Sequence, residues 1–508
     1  MSRFFHPLGL ICALLPGVGR ADLPAQQDVF SFVVYNVENL HDLDGIAAYD
    51  DFQGSAWTSR HLRVKLENLV SVLARIEPAG GPALIAFNEI ETDHSPDTSV
   101  PGGDYTAWLA AVAGERAADW LSEPVLPAAL AGLPAEAWLL KACADRGLGP
   151  YSVAVASAGT TGDEPSAIRN VLFSRFPISA IRTHPLLQAR AMLEVELDVR
   201  GTPLTVLVNH WKAGASDPAA EAIRRENARV LRARLDELLA RDPQADIIVT
   251  GDLNSHYNQR QRHRALRPTA INDLLGSQGN ELALRGPERV LYNLWFELPS
   301  DQRGSDIYRG EWGTLMHLLL TRGLYDQNGI QYVDGSFAVM KFPGLNANAL
   351  GLPLRWSRGA TPGGFSDHFP LRARFRPLAT KDRDQWLALE QPSLSSQGGE
   401  RVVPVDSAPV DLFREALVFN SMPAGTELRG GAYTGRIFFI EADSRIDARG
   451  RVFVTLDGLD YEVYSHQKNL REKLRARTRA EGRLGFYGEL GPFRDRWQFL
   501  LYGPEWLP

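Results

Sequence analysis

Asp252 and Asn254 lie two residues apart in DIIVTGDLNSHYN, after the apolar run Ile247, Ile248, Val249 and a glycine, with His256 two residues further on. Taken alone, such a stretch is an ordinary turn, because Gly, Asp and Asn are the usual turn residues. A carboxylate, an amide and an imidazole at a strand end are also groups suited to a metal and a phosphate. The other strand ends decide between these readings. Asn36 ends a strand-like run in YNVEN, Glu89 in FNEIE, and Asn209 with His210 in VNHWK, while Asp367 and His368 open the last in FSDHFP. Singly, Glu89 could be a surface carboxylate and His210 or His368 a satisfied core histidine. In a layered α/β fold, however, strand ends converge on one rim, where sites are built, and the ordered set is a stronger signal than any member.

The elements that must position these residues follow from hydrophobic period. FSFVVYNVENL and ALIAFNEIE are expected to be buried strands. Between them SRHLRVKLENLVSVLARI has helical spacing, with Leu62, Leu66, Leu69, Val70 and Leu73 on one face. SVAVAS, NVLFSRFPI, AMLEVELDV, LTVLVNHW, TLMHLLLT and HFPLRARF are further strand candidates. PAAEAIRRENARVLRARLDELLARD is a long amphipathic helix leading into the Asp252 strand, and the Ala- and Leu-rich span 97–149 is expected to be mostly helical. The domain expected from this alternation covers 22–376. A polar, Ser- and Gly-containing stretch, QPSLSSQGGE, marks a linker over 377–427. Over 428–508 short strands dominate, with a basic helix (QKNLREKLRARTR) between the third and fourth of five. That order predicts an OB-like barrel.

The totals agree with a multi-domain globular chain: 508 residues, 44% hydrophobic and 23% charged. Arg3, the apolar run LGLICALLPGVG and the small pair Gly19 and Ala21 predict a signal peptide over 1–21, cut after Ala21. The run is too short to span a bilayer stably, and Cys12 follows Ile11 rather than a small residue, which argues against a lipid anchor. The mature chain would keep Cys143 alone, so an exported, disulfide-free protein of the bacterial periplasm or medium is expected. The formal charge of −7 for the full sequence gives no global attraction to nucleic acid, so any such contact must be local.

With GDLN and SDH in that order, the chain resembles the endonuclease/exonuclease/phosphatase superfamily, including its bacterial extracellular nucleases, over about Phe30 to Phe375. The resemblance implies a four-layered α/β sandwich and Mg²⁺-dependent cleavage of a phosphate ester, with Mn²⁺ as the alternative metal. It implies Glu89 as the main metal ligand with Asn36 and Asp367 beside it, in keeping with the oxygen-only, water-rich coordination Mg²⁺ prefers. Asp252 is expected to activate the attacking water and Asn254 to fix that water or a phosphate oxygen. His210 and His368 are expected to act on the phosphoryl oxygens or as general acid or base. Asn170, Asn209 and Lys212 are expected near the substrate phosphate; Asn170 could equally be a polar strand-start residue and Lys212 a solvated lysine. Two positions depart from the family pattern. Met316 stands where a carboxylate usually orients the histidine of SDH, and Ala191 where secreted relatives often carry Asp. Both put full activity in doubt.

The implied substrate is nucleic acid, DNA ahead of RNA. The barrel offers Tyr433, Phe438, Phe453, Tyr461, Tyr464, Phe486 and Trp497, with Lys468, Arg471, Lys473, Arg475, Arg477, Arg479 and Arg483 nearby. Core packing is the competing role for such aromatics, and a solvated face for such a helix. The alternatives are a phosphodiesterase or phosphatase acting on a lipid headgroup or small phosphate ester, and a catalytically attenuated nucleic-acid-binding protein. No signal for stable membrane association or for an oligomeric partner is present.

Overall fold

The computed structural model describes residues 29–95, 100, 103–123, 125–127, 130, 132–157, 160–161, 164–308, 311–348, 350–357, 362–395, 416–423, 425–429, 433–493 and 496–508. The expected signal peptide, its cleavage point and residues 396–415 of the expected linker lie outside the described residues.

Two sheets face each other. The first runs in the order Asp326–Tyr332, Leu371–Trp386, Phe30–Leu40, Leu84–Glu91, Ile168–Ser174, Ser152–Val155. The second runs Leu394–Ser395, Ser277–Asn280, Leu291–Asn293, Met316–Leu320, Ile247–Asp252, Thr202–His210, Arg190–Val199, Ile178–His184. Strand alternation sets the layers. Phe30, Phe32 and Val34 enter the core between the sheets, with Val206, Val208, Ile248 and Leu318 opposite. Val33, Tyr35 and Val37 face outward to helices Ser59–Ile76 and Ala135–Asp145. On the far side Leu207, Val249 and Leu319 pack under helix Pro218–Arg241. The result is helix, sheet, sheet, helix, the four-layered sandwich expected from the sequence. Each fully buried Val, Leu, Ile or Phe contributes about 1.5–3 kcal/mol of transfer free energy.

The helices are locally encoded. Thr58 and His61 close a capping box at the start of Ser59–Ile76, whose expected face of Leu62, Leu66, Leu69, Val70 and Leu73 is buried. Asp217 caps Pro218–Arg241 through the Ala219 N–H, with proline at the first position.

The boundary expected after Arg376 needs correction. The strand Leu371–Trp386 runs ten residues further and pairs with Asp326–Tyr332. Leu387 and Leu389 enter the inter-sheet core, and Leu394–Ser395 adds an edge to the second sheet. Lys381, Asp382, Arg383 and Asp384 mimic linker composition because they lie on the exposed end of a long ribbon.

The C-terminal strands Ile437–Ile446, Val452–Leu456, Leu459–Tyr464, Arg496–Leu500 and Arg483–Phe493 pair in that order, and the last pairs back with the first. Helix Lys468–Glu481 sits between the third and fourth strands in sequence, as in an OB-like barrel. The barrel starts earlier than expected, since Leu417–Val418 pairs with Ile437–Ile446. Among the described residues no helix is long and apolar enough to cross a membrane.

The barrel is clamped to the sandwich by Asn348, whose Nδ2 donates to both Glu489 oxygens at 2.9 Å, and by Leu350, which packs on the barrel core. Burial pushes Glu489 up to about 7, against the Asn348 and Tyr502 hydrogen bonds. The folded state therefore holds a proton that the unfolded chain releases near 4.5. The associated stability is present below that value and is lost as pH rises through about 7. Glu489→Gln is expected to flatten thermal stability between pH 5 and 8, removing a dependence of about 1–3 kcal/mol. A melting curve with the same pH slope as the parent would contradict this account.

Candidate active site

The parallel strands Phe30–Leu40 and Leu84–Glu91, and Thr202–His210 with Ile247–Asp252, end at one rim of the sandwich. Gly251 makes the last turn of its strand feasible. Its φ is +111°, and a Cβ there would lie 2.0 Å from the Asn209 carbonyl oxygen. Asp252 then turns inward and is almost wholly buried. Its Oδ1 accepts the Asn254 N–H at 2.9 Å, and its Oδ2 accepts Asn36 Nδ2 at 3.1 Å. Asn36 Nδ2 also donates to Glu89 Oε1 at 3.0 Å, so one amide bridges the two carboxylates. Glu89 adopts a left-handed φ of +66° and its Oε2 accepts the Asn39 N–H.

Two histidines flank this pair. His210 Nε2 lies 3.8 Å from both Glu89 Oε1 and Asp252 Oδ2. His368 Nε2 lies 3.9 Å from Asp252 Oδ2 and 3.8 Å from Asp367 Oδ1. The Ser366 hydroxyl ties the SDH loop to the Asn36 carbonyl at 2.7 Å and accepts the His368 N–H. Burial, then the charges of Arg190 and His368, hold His210 well below its usual range. Burial also opposes charge on His368, yet Asp367, Asp306, Asp252 and Glu89 outweigh it and push that imidazole up to about 9. The environment thus pushes the two histidines that flank one carboxylate in opposite directions.

Asp306, Arg190 and Asn88 also take part, although nothing in their sequence context singles them out as a set. Asp306 pairs with His368 as a β-bridge, and its Oδ1 lies 3.9 Å from His368 Nδ1. It belongs to the hairpin Asp306–Tyr308 and Glu311–Gly313, too short to show a period. A Cβ on Gly313 would lie 1.9 Å from Asp306 Oδ2, so the glycine makes room for the carboxylate. Arg190 acts on both Glu89 and His210 through its charge, and its position at the start of the RAML strand is a usable signal. Asn88 Oδ1 accepts the Asp252 N–H, while its Nδ2 donates to Asn170 and to the Asn209 carbonyl.

Not every expected residue faces this rim. Asn170 is fully buried, and its amide donates to the Ala191 and Val208 carbonyls while accepting from Asn88. Asn209 is also fully buried, with its amide bonded to the Leu207 carbonyl and the Trp211 indole. Both side chains satisfy the interior behind the rim, which corrects the expectation that they meet substrate. Asn254 is at the rim but directs its Nδ2 to the Trp211 carbonyl. Lys212 is half-buried, and its backbone is fixed by the buried Arg224, which donates to the Lys212 and Gly214 carbonyls. Met316 pairs in register with Asp252 and its sulfur accepts the Asn36 N–H at 3.3 Å. His256, in the same turn as Asp252, is buried against Arg262 and the Thr314 N–H.

The donor set fits a hard divalent cation. Burial, then Asp367, raises the Glu89 carboxyl, so negative charge there is undercompensated. Glu89 and Asp367 side chains keep 17% and 33% exposure, which leaves the mouth open to a cation with its waters.

In the barrel, Phe438, Tyr461 and Phe486 are core residues, and the basic helix uses Arg471, Arg475 and Arg477 to bond backbone carbonyls. The arginines that converge are others: Arg429, Arg445, Arg451 and Arg496 line a cleft with Phe453 and Trp497, together with Asp447 and Asp460.

Residues 169–376 match the model of the Endonuclease/Exonuclease/phosphatase family, a segment that holds His210, Asp252, Asp306 and His368. Among solved structures, an endonuclease/exonuclease/phosphatase family protein from Bacteroides thetaiotaomicron is 12% identical, with a TM-score of 0.38 over 70% of this chain and 97% of its own. Sphingomyelinase C from Streptomyces griseocarneus is 16% identical, with a TM-score of 0.36 over 68% of this chain and 99% of its own. The human Nocturnin catalytic domain is 13% identical, with a TM-score of 0.37 over 70% and 96%. No curated protein matches the chain.

Proposed function

We propose that this chain, whose residues 169–376 match the endonuclease/exonuclease/phosphatase family model, is an exported hydrolase that cleaves nucleic-acid phosphodiesters with water, DNA ahead of RNA. The observation that carries the reading is the meeting of Asn36, Glu89, Asp252, His210 and His368 at one rim, with Asp306 behind His368. Asp252, gripped on both oxygens, is the base that orients and deprotonates the attacking water. His368, kept charged by its carboxylate neighbours, donates to a phosphoryl oxygen as negative charge develops there. His210, kept neutral, accepts or relays a proton beside Glu89. A divalent cation, Mg²⁺ by the oxygen character of its donors with Mn²⁺ as the alternative, would be held by Glu89 with Asn36 and Asp367 and would neutralise phosphoryl charge.

The test is incubation of the purified mature protein with plasmid, single-stranded DNA, RNA and a chromogenic phosphodiester, each with Mg²⁺, Mn²⁺ or EDTA. Metal-dependent cleavage of DNA is the expected result. Cleavage of the small ester with none of the polymers would move the substrate to a small phosphate ester, and no cleavage of any would leave a binding protein. Export is tested by N-terminal sequencing of secreted protein, which should begin at Asp22; a retained Met1 would overturn it.

The barrel cleft supports the polymer reading. Four guanidinium groups gathered in one cleft suit a phosphate backbone, which would take over from the Asp460, Asp447 and Glu462 carboxylates that now pair Arg445, Arg451 and Arg496. Arg445→Ala with Arg496→Ala is expected to weaken DNA binding about 10-fold at low salt and to reduce the salt slope by about 1–2. Hydrolysis of the small ester should not change. Unaltered affinity across the salt titration would remove the cleft from the reading.

A further inference from the structure

Glu281, Glu297 and Asp334 come from three separate segments where the edges of the two sheets meet. Glu281 follows the strand Ser277–Asn280, Glu297 ends the turn after Leu291–Asn293, and Asp334 comes just after Asp326–Tyr332 of the other sheet. One oxygen from each lies within 4.8 Å of the others. None of the site residues described above belongs to this group.

The polar groups around the cluster satisfy only part of it. Glu281 Oε1 accepts the Tyr325 hydroxyl and Oε2 the Ser393 N–H, at 3.2 and 2.8 Å. Glu297 Oε2 accepts the Tyr332 hydroxyl at 2.6 Å, but its buried Oε1 has no hydrogen-bond partner. Tyr292 is completely buried and its hydroxyl has no partner within 3.5 Å, its one polar side-chain neighbour outside the cluster being Ser393 at longer range. The charges of Glu297, Glu281 and Asp334 all act on that hydroxyl, so it faces the cluster. Arg285 is close enough to act on Glu281 but donates to the Leu387 carbonyl. Buried polar atoms are rarely left unpaired, and here one carboxylate is buried and two are half-buried beside it.

We propose that Glu281, Glu297 and Asp334 bind a calcium ion that fastens the two sheet edges together, with the Tyr292 hydroxyl and the free Glu297 oxygen facing it. The ligands are all oxygen, which selects a hard cation. Two calcium–oxygen bonds of about 2.4 Å placed end to end span about 4.8 Å, so the cluster is no wider than a calcium coordination sphere. An irregular set drawn from three segments suits calcium, whereas magnesium demands near-ideal octahedral geometry.

The test uses the full mature chain carrying Glu89→Gln and Asp252→Asn, which weakens cation binding at the rim. After EDTA treatment, added Ca²⁺ is expected to bind at one ion per chain by calorimetry and to raise Tm by about 5 °C at saturation. Glu297→Gln in this background should abolish both effects while melting in EDTA no lower than its parent, because the amide oxygen can still accept the Tyr332 hydroxyl. If that variant does not fold, Asp334→Asn serves in its place. Three outcomes would overturn the proposal: no calcium bound by the parent, undiminished calcium binding by the folded variant, or equal affinity for Mg²⁺, which would make the cluster a protonated or water-filled network or a site not selective for calcium. None of these depends on whether the rim hydrolyses phosphodiesters.

Discussion

Asp252→Asn is expected to lower kcat by about 10³–10⁴-fold on any substrate the parent cleaves, the upper part of the range for a positioned general base. The amide cannot take the proton from water. It also disturbs the local hydrogen bonds, because one oxygen now accepts the Asn254 N–H and the other accepts Asn36 Nδ2. An NH₂ group in either place would meet a donor. The strand itself does not depend on the side chain: Asp252 is held by backbone pairing to His210 and Met316 and by the Asn88 amide. The fold should therefore persist at a stability cost of about 1–3 kcal/mol for the mismatched buried hydrogen bond, and DNA affinity should change by less than about 3-fold, while turnover falls. Glu89→Gln provides the contrast. It should raise the metal concentration needed for half-maximal rate more than it lowers the rate at saturating metal. Wild-type rates in both variants would show that the rim is not where hydrolysis occurs.

The reason Asp252 is legible in the sequence is mechanical. A strand of Ile247, Ile248 and Val249 fills both faces, so the first ionisable side chain beyond it lies at the strand end, and parallel strands bring such ends together. Gly251 adds a second signal, since a glycine before an inward-turned carboxylate marks a close backbone approach. The same logic fails at Asn170 and Asn209. A polar residue near a strand end can serve the site or satisfy the backbone beneath it, and the two look alike in sequence. Burial against Asn88 and Trp211 decides for the second role. The sequence places the linker too early because charge on an exposed strand edge has the composition of a loop. Asp306 is hidden for a different reason. Its element is three residues long on each side and is shaped by Gly304 and Gly313, which make room for Trp312 and Asp306. No periodicity exists over such a length.

Asp306 alters the consequence of having methionine at position 316. The sequence places Met316 where a carboxylate would orient His368, from which one expects that restoring Asp there would speed the reaction. The fold supplies that carboxylate from the neighbouring hairpin instead, 3.9 Å from His368 Nδ1, a separation that closes to a hydrogen bond with a small ring movement. Asp306→Asn is therefore expected to lower kcat by about 10²–10³-fold with little change in KM, as a positioning residue acting through His368. The pH profile gives the readout that a merely structural role would not move. Asp306 is one of four carboxylates that push His368 up to about 9, so its removal lowers that value. If His368 must be charged to act, the alkaline limb of kcat shifts to lower pH at fixed metal concentration. Met316→Asp should not raise the rate. Met316 is completely buried beside Asp252, and its sulfur accepts the Asn36 N–H. A carboxylate there would be buried against Asp252, competing for the one imidazolium, His368, that four carboxylates already share, at a stability cost of several kcal/mol. A faster, folded Met316→Asp enzyme, or an Asp306→Asn enzyme with the parent's rate and pH profile, would return the orienting role to position 316.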